Sequence, residues 1–251
     1  MTVQEVYNVI DAIAPFSTQE KWDNSGLLVG WEHAEVTGIV VALDITNSVI
    51  DYADQHKCNL IVSHHPIIFE PLRRLQWRSI PYTLAEFQMN AICCHTPLDM
   101  AAGGLNDLLC QKLGEVLPVC KTEPFMEDGL GRILTLDREH DFLWVAQQAK
   151  AVLNCPQVRY SYPYNDVQRI AVCTGSGASL LEDCVGRADC LLTGDVKHDR
   201  WHKAVELDLG LIDCGHFETE VIMVPYLIRV LSEAFPGLPV EGIVTPPYGC
   251  V

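Results

Sequence analysis

Asn59-Leu60-Ile61-Val62-Ser63-His64-His65-Pro66-Ile67-Ile68-Phe69 decides how the fold of this chain is read. A short apolar run passes directly into two imidazoles and a proline, the pattern of a buried strand that ends in polar side chains. In extended backbone, neighbouring side chains leave on opposite sides, so His64 and His65 do not chelate one ion together. Each can hold one of two ions lying about 3.5–4 Å apart. Pro66 biases His65 towards extended backbone and helps fix that divergence. Taken alone, the pair reads equally well as two histidines closing a strand end with hydrogen bonds.

Working outward, the same grammar recurs. Residues 38–43 form an apolar strand ending at Asp44, and 46–56 a helix with Val49, Ile50 and Ala53 inward. Residues 91–94 are a strand that delivers His95-Thr96-Pro97-Leu98-Asp99, a segment whose proline predicts a loop. Further on, 170–173 leads to Thr174-Gly175-Ser176-Gly177, 188–192 leads to Thr193-Gly194-Asp195, and 211–214 leads to Gly215-His216. Helical spacing marks 3–14, closed by Pro15, and also 81–89, 142–153 and 201–207, while Gly103-Gly104 opens a helix through Leu113. Alternating strands and helices imply an α/β fold with mainly parallel sheets, because parallel neighbours need crossover connections. At 118–129 proline and acidic residues replace the apolar runs, which places a boundary there. The expected organisation is two closely associated α/β lobes, residues 1–128 and 129–251.

Composition excludes several classes of function. The chain has 251 residues, 49% of them hydrophobic, and a formal net charge of −16. A protein this acidic repels phosphate backbones and anionic lipid surfaces, so nucleic-acid and membrane partners are not expected. No apolar run reaches about 18 residues and no basic-then-apolar leader opens the chain, which points away from membrane spanning and secretion. The 11 cysteines contain no C-x-x-C and fall mostly in apolar runs, fitting buried thiols in a reducing cytoplasm. Arg73, Arg74 and Arg78 form a local basic patch on a solvated loop.

The polar residues that matter stand at the downstream ends of apolar strands, the edge where open α/β sheets bind ligands. They are His64, His65, His95, Asp99, Asp195 and His216. His216 and Glu220 are four apart, so in a first helical turn they face the same way, with Glu218 as the alternative if the helix starts earlier. A carboxylate there also suits the helix N-terminus. Asp99 reads as a metal ligand, with His95 beside it or moving protons, and Asp195 as an acid/base or anchoring group or as a helix cap. Asp23 and Asn24, in Asp-Asn-Ser-Gly, read as turn chemistry. His33, His56 and His140 fall in polar surroundings. His198 and His202, four apart, stand either on a solvated helix face or as a second metal pair. Gly175-Ser176-Gly177 lacks the third glycine of a dinucleotide fingerprint, and no phosphate-binding G-x-x-x-x-G-K-[ST] occurs.

With Trp22-Asp23-Asn24-Ser25-Gly26-Leu27, Ser63-His64-His65-Pro66, His95-Thr96-Pro97-Leu98-Asp99 and Gly215-His216-Phe217-Glu218-Thr219-Glu220 in this order, the chain resembles the Nif-three-like dinuclear metal-centre family, often labelled GTP cyclohydrolase 1 type 2 homologues. The resemblance spans essentially the full length. It implies the Nif-three-like fold and two divalent ions (Fe, Mn, Zn or Ni) held by His64, His65, Asp99, His216 and Glu220, with Glu220 bridging. It also implies a ring-shaped homohexamer whose metal sites face an internal cavity, without the extra mid-chain domain of longer members. One departure is Lys197-His198-Asp199, where the family pattern is Lys-aromatic-His.

Three functions follow from these residues and the resemblance. The first is a metal-dependent hydrolase, cyclohydrolase- or phosphoesterase-like, with water activated between two ions and His95 or Asp195 moving protons on a small-molecule substrate such as a nucleotide. The second is a metal-binding or trafficking protein without turnover. The third is a ring-shaped interaction or nucleic-acid-binding protein, which would need the cavity to collect Arg73, Arg74 and Arg78.

Overall fold

The computed structural model describes residues 1–161 and 165–249. In chain order the elements are α1 (Val3–Ile13), β1 (Gly26–Val29), β2 (Ile39–Ala42), α2 (Asn47–Gln55), β3 (Leu60–Ser63), α3 (Ile80–Glu86), β4 (Asn90–Cys93) and α4 (Thr96–Met100). There follow α5 (Leu105–Gly114), β5 (Val119–Pro124), β6 (Arg132–His140), α6 (Phe142–Val152), β7 (Arg159–Tyr160), β8 (Val167–Val172), β9 (Cys190–Thr193), α7 (His198–Glu206), β10 (Gly210–Asp213) and α8 (His216–Glu220). The chain closes with α9 (Met223–Ala234) and β11 (Val240–Ile243). Two compact units result: Met1–Ala101 with Met223–Thr245, and Ala102–Ile222 with the chain from Pro246 onward.

The first unit holds a sheet of order β1-β4-β3-β2-β11, parallel except where β1 meets β4. Every residue of β2, β3 and β4 is buried. That explains why they are mainly apolar and do not alternate, since a strand covered on both faces has no solvent side to alternate towards. On one face Val40, Ala42 and Ile61 pack with Val49, Ile50 and Ala53 of α2 and Leu84 of α3. Each such side chain stabilises the fold by about 1.5–3 kcal/mol on full burial. Thr2 and Glu5 form a reciprocal capping box that starts α1, and Thr46 caps α2 through the Val49 N–H.

The second unit holds a sheet of order β5-β6-β8-β9-β10-β7. Its β8-β9-β10 run is parallel, and antiparallel strands flank it. Alternate residues along β8 and just past its end enter different cores: Ile170 and Val172 face α5 and α6, whereas Ala171 and Cys173 pack with Leu180, Leu181 and Ala204. The sheet is thus covered on both sides.

The units divide after Ala101, not at the 128/129 boundary expected from composition. The polar stretch at 118–129 contains the edge strand β5, largely exposed, hydrogen-bonded antiparallel to β6. An edge strand with one solvated side reads as a linker because it lacks an apolar run. The strand and helix carrying His216 and Glu220 belong to the second unit, whereas α9 and β11 belong to the first, where β11 pairs with β2. His95–Asp99 is not a loop: α4 starts at Thr96 with Pro97 in its first turn, where no intrahelical N–H bond is lost. Among the described residues no helix is long and apolar enough to cross a membrane.

Candidate metal centre

In the first unit, parallel pairing of β3 with β4 sets Ser63 opposite Cys93, so the residues after both strands emerge at one edge. β1 runs the other way, with Gly26 opposite Cys93, and brings the Asp23–Ser25 turn to the same edge. Ligand nitrogens of His64, His65 and His95 lie within 4.8 Å of one another there, a grouping able to hold a metal ion. His64 is fully buried, and its Nε2 is 3.6 Å from Asp99 Oδ1 on the first turn of α4.

Each of these imidazoles is anchored through Nδ1. His64 Nδ1 donates to the Cys94 carbonyl at 2.9 Å, His65 Nδ1 to Asp44 Oδ1 at 2.7 Å, and His95 Nδ1 to Asp23 Oδ1 at 2.8 Å. A carbonyl or carboxylate can only accept, so the proton sits on Nδ1 and Nε2 carries the lone pair. This is how metal-ligating histidines are held in their working tautomer. Burial alone would raise the Asp23 carboxyl, but hydrogen bonds from His95, Thr96 and Ser25 and the attraction of His95 outweigh it and hold the group well below the usual carboxylate range. Burial pushes the Cys94 thiol up to about 12, with the Asp99 charge adding to the rise.

In the second unit, β8, β9 and β10 deliver Gly175, Asp195 and His216 to one parallel edge. His216 Nδ1 donates to Asp195 Oδ2 at 2.7 Å, the anchoring seen for the other imidazoles, and its Nε2 lies 2.9 Å from Glu220 Oε2 across one turn of α8. Glu220 is buried. Gly175, at φ +57°, is required by this packing: a Cβ there would overlap Glu220 Oε1 and lie 3.2 Å from His216 Nε2. The glycine turn is tied to the helix by its N–H to Thr219 Oγ1 at 3.0 Å and to β9 by Thr193 Oγ1 to its carbonyl, also 3.0 Å.

Beside this pair lies a cavity of about 310 Å³ lined by Arg159, Asp195, Asp213, Gly215, Glu218 and Tyr248, among others. The Arg159 guanidinium pairs with Asp213, and the Tyr248 hydroxyl donates to Glu218 Oε2 at 2.8 Å. Of the two carboxylates left open by sequence, Glu220 therefore meets His216 and Glu218 faces the cavity.

Two partners escaped sequence reading. Asp23 does hold its turn, accepting from the Asn24 N–H at 2.7 Å and the Ser25 hydroxyl at 2.9 Å, but it also orients His95, and Asp44, which sequence shows only as a strand end, orients His65. The one available signal was that Asp44, like the others, ends an apolar strand. Asp195 does not cap α7, whose N-cap is Lys197 with no side-chain capping bond. Arg73 and Arg74 are exposed, and the exposed Arg78 stacks on Trp77 at 4.3 Å.

The sequence profile of the Duf34/NIF3 (NGG1p interacting factor 3) family matches residues 1–247. A Campylobacter jejuni protein named GTP cyclohydrolase 1 type 2 homolog is 32% identical, over 98% of this chain and 96% of its own. NGG1-interacting factor 3 of Saccharomyces cerevisiae is 27% identical over 88% of each. Among solved structures, the Staphylococcus aureus hypothetical protein SA1388 superposes with a TM-score of 0.88 at 30% identity, covering 100% of this chain and 99% of that one. Reduced HcgD from Methanocaldococcus jannaschii gives 0.85 at 25% identity, covering 98% of each.

Proposed function

This chain belongs to the Duf34/NIF3 family, and on that premise we propose that it is a metal-dependent hydrolase built on a dinuclear centre. His64, His65, Asp99, His216 and Glu220 are the residues that would hold the ions. The observation that carries this reading is the anchoring of His64, His65 and His216 through Nδ1, which leaves Nε2 as the coordinating nitrogen of each. Bound divalent ions of the Fe, Mn, Zn or Ni type would supply Lewis acidity and lower the pKa of water.

The chain's own residues do the rest. Asp44 and Asp195 hold their imidazoles in orientation. His95, backed by the ionised Asp23, is the group placed to move a proton at Nε2, and Asp195, which lines the cavity, is the second candidate. The cavity falls within the size range of small-molecule sites and favours turnover over mere metal storage. A nucleotide is the substrate class the relatives' names point to, and a cytoplasmic homohexamer completes the reading.

The test is hydrolysis of nucleotides and phosphoesters by metal-loaded protein, with metal content measured alongside. Asp99→Ala and Glu220→Ala are expected to lose both bound metal and activity. Activity persisting in the two variants removes the proposal.

A further inference from the structure

We propose that His198 and His202 form a second, solvent-facing metal site on α7, one that takes a divalent ion of the Zn, Ni or Cu type through two imidazole nitrogens. The residues stand at the same face of the helix, four apart, and both are exposed. Their Nε2 atoms are 3.2 Å apart, with ring centroids at 4.8 Å and ring planes at 79°. Zinc–imidazole bonds of about 2.0–2.1 Å put two nitrogens on one ion roughly 3.0 Å apart at a right angle and roughly 3.4 Å apart at a tetrahedral one. The observed spacing falls between these values, the separation that two nitrogens on one ion require.

The pair without an ion is a ring-to-ring hydrogen bond, in which one Nε2 carries a proton and the other accepts it. Binding requires only that the donating ring shift its proton to Nδ1. Two cations on the same helix are paired with acids: Lys203 Nζ is 3.1 Å from Glu206, and Arg200 engages Glu182 at 2.9 Å and Asp199 at 3.2 Å. The net charge of −16 draws cations to the surface. Two neutral nitrogens select borderline transition ions over Mg²⁺ or Ca²⁺, which prefer oxygen. Open coordination positions go to water, and exposure makes the ion exchangeable. None of this depends on the proposed hydrolase centre.

Equilibrium dialysis of the full chain against Zn²⁺ tests the site. Wild type is expected to bind one more equivalent per chain than either His198→Gln or His202→Gln, with unchanged circular dichroism. Asp99→Ala and Glu220→Ala should retain that equivalent, which separates it from the buried centre. In parallel, Zn²⁺ but not Mg²⁺ should slow modification of both rings by diethylpyrocarbonate. Equal zinc stoichiometry in wild type and both variants, or equal protection by Mg²⁺, would show a hydrogen bond only and overturn the proposal.

Discussion

Replacing Gly175 by alanine isolates the contribution of a single missing methyl group to the candidate centre. At φ +57° an L-residue costs about 1–2 kcal/mol. Loss of unfolded-chain freedom returns about 0.4–1 kcal/mol, so the backbone effect on stability is roughly 1 kcal/mol. The side-chain effect is larger. The new Cβ would overlap Glu220 Oε1, sit 3.0 Å from its Cδ and press on His216 Nε2 at 3.2 Å, displacing both proposed ligands at once. Misorienting ligands typically weakens metal binding by about 10–100-fold. Under excess metal that factor removes a further ~1.4–2.7 kcal/mol of binding-linked stability. Melting in the presence and absence of Zn²⁺ or Mn²⁺ separates the two effects: the metal-free shift should be about 2–4 °C and the metal-loaded shift about two and a half to four times that. Gly186→Ala is the matched control, because it has φ +74° and nothing within 4 Å of an added Cβ. Should Gly175→Ala retain metal as tightly as Gly186→Ala, the ligand roles of His216 and Glu220 fail.

Asp44→Ala removes the acceptor of His65 Nδ1 from a half-exposed position, so metal affinity should fall about 10–100-fold while the denaturation midpoint without metal barely moves. His95→Gln should lower kcat by about 10²–10⁴ with metal content unchanged; loss of metal as well would make His95 a ligand and not a proton carrier. Asp107→Ala should cost about 2–4 kcal/mol in urea unfolding, because it removes the carboxylate that both Nε and Nη2 of the buried Arg132 guanidinium engage. Burial works against the Asp107 charge, but the Arg132 hydrogen bond and charge prevail and depress its pKa. Its contribution is therefore fully present above the unfolded value of about 3.9 and is lost as pH falls towards the folded one. An acid titration of Asp107→Asn should lack that component.

Strands expected at 60–63 and 91–94, and found at 60–63 and 90–93, were legible because a doubly covered parallel strand is mainly apolar, and that run is a local property. The same locality exposed His64, His65, His95, Asp195 and His216 as strand-end residues, and the four-residue spacing of His216 and Glu220 as a shared helix face. What lies far apart along the chain was invisible. Asp23 meets His95 across 72 residues and Asp44 meets His65 across 21, and no periodicity encodes a partner at that distance.

Sequence by itself therefore determined the α/β class, the strand ends that carry the polar groups, and which imidazoles and acids to watch. Tertiary structure alone decided which acid holds which ring, that Glu220 and not Glu218 meets His216, and that the chain re-enters its first unit at α9 and completes that unit's sheet with β11. Burial pattern is written into neighbouring residues, whereas pairing depends on the crossovers that bring distant strand ends to one edge.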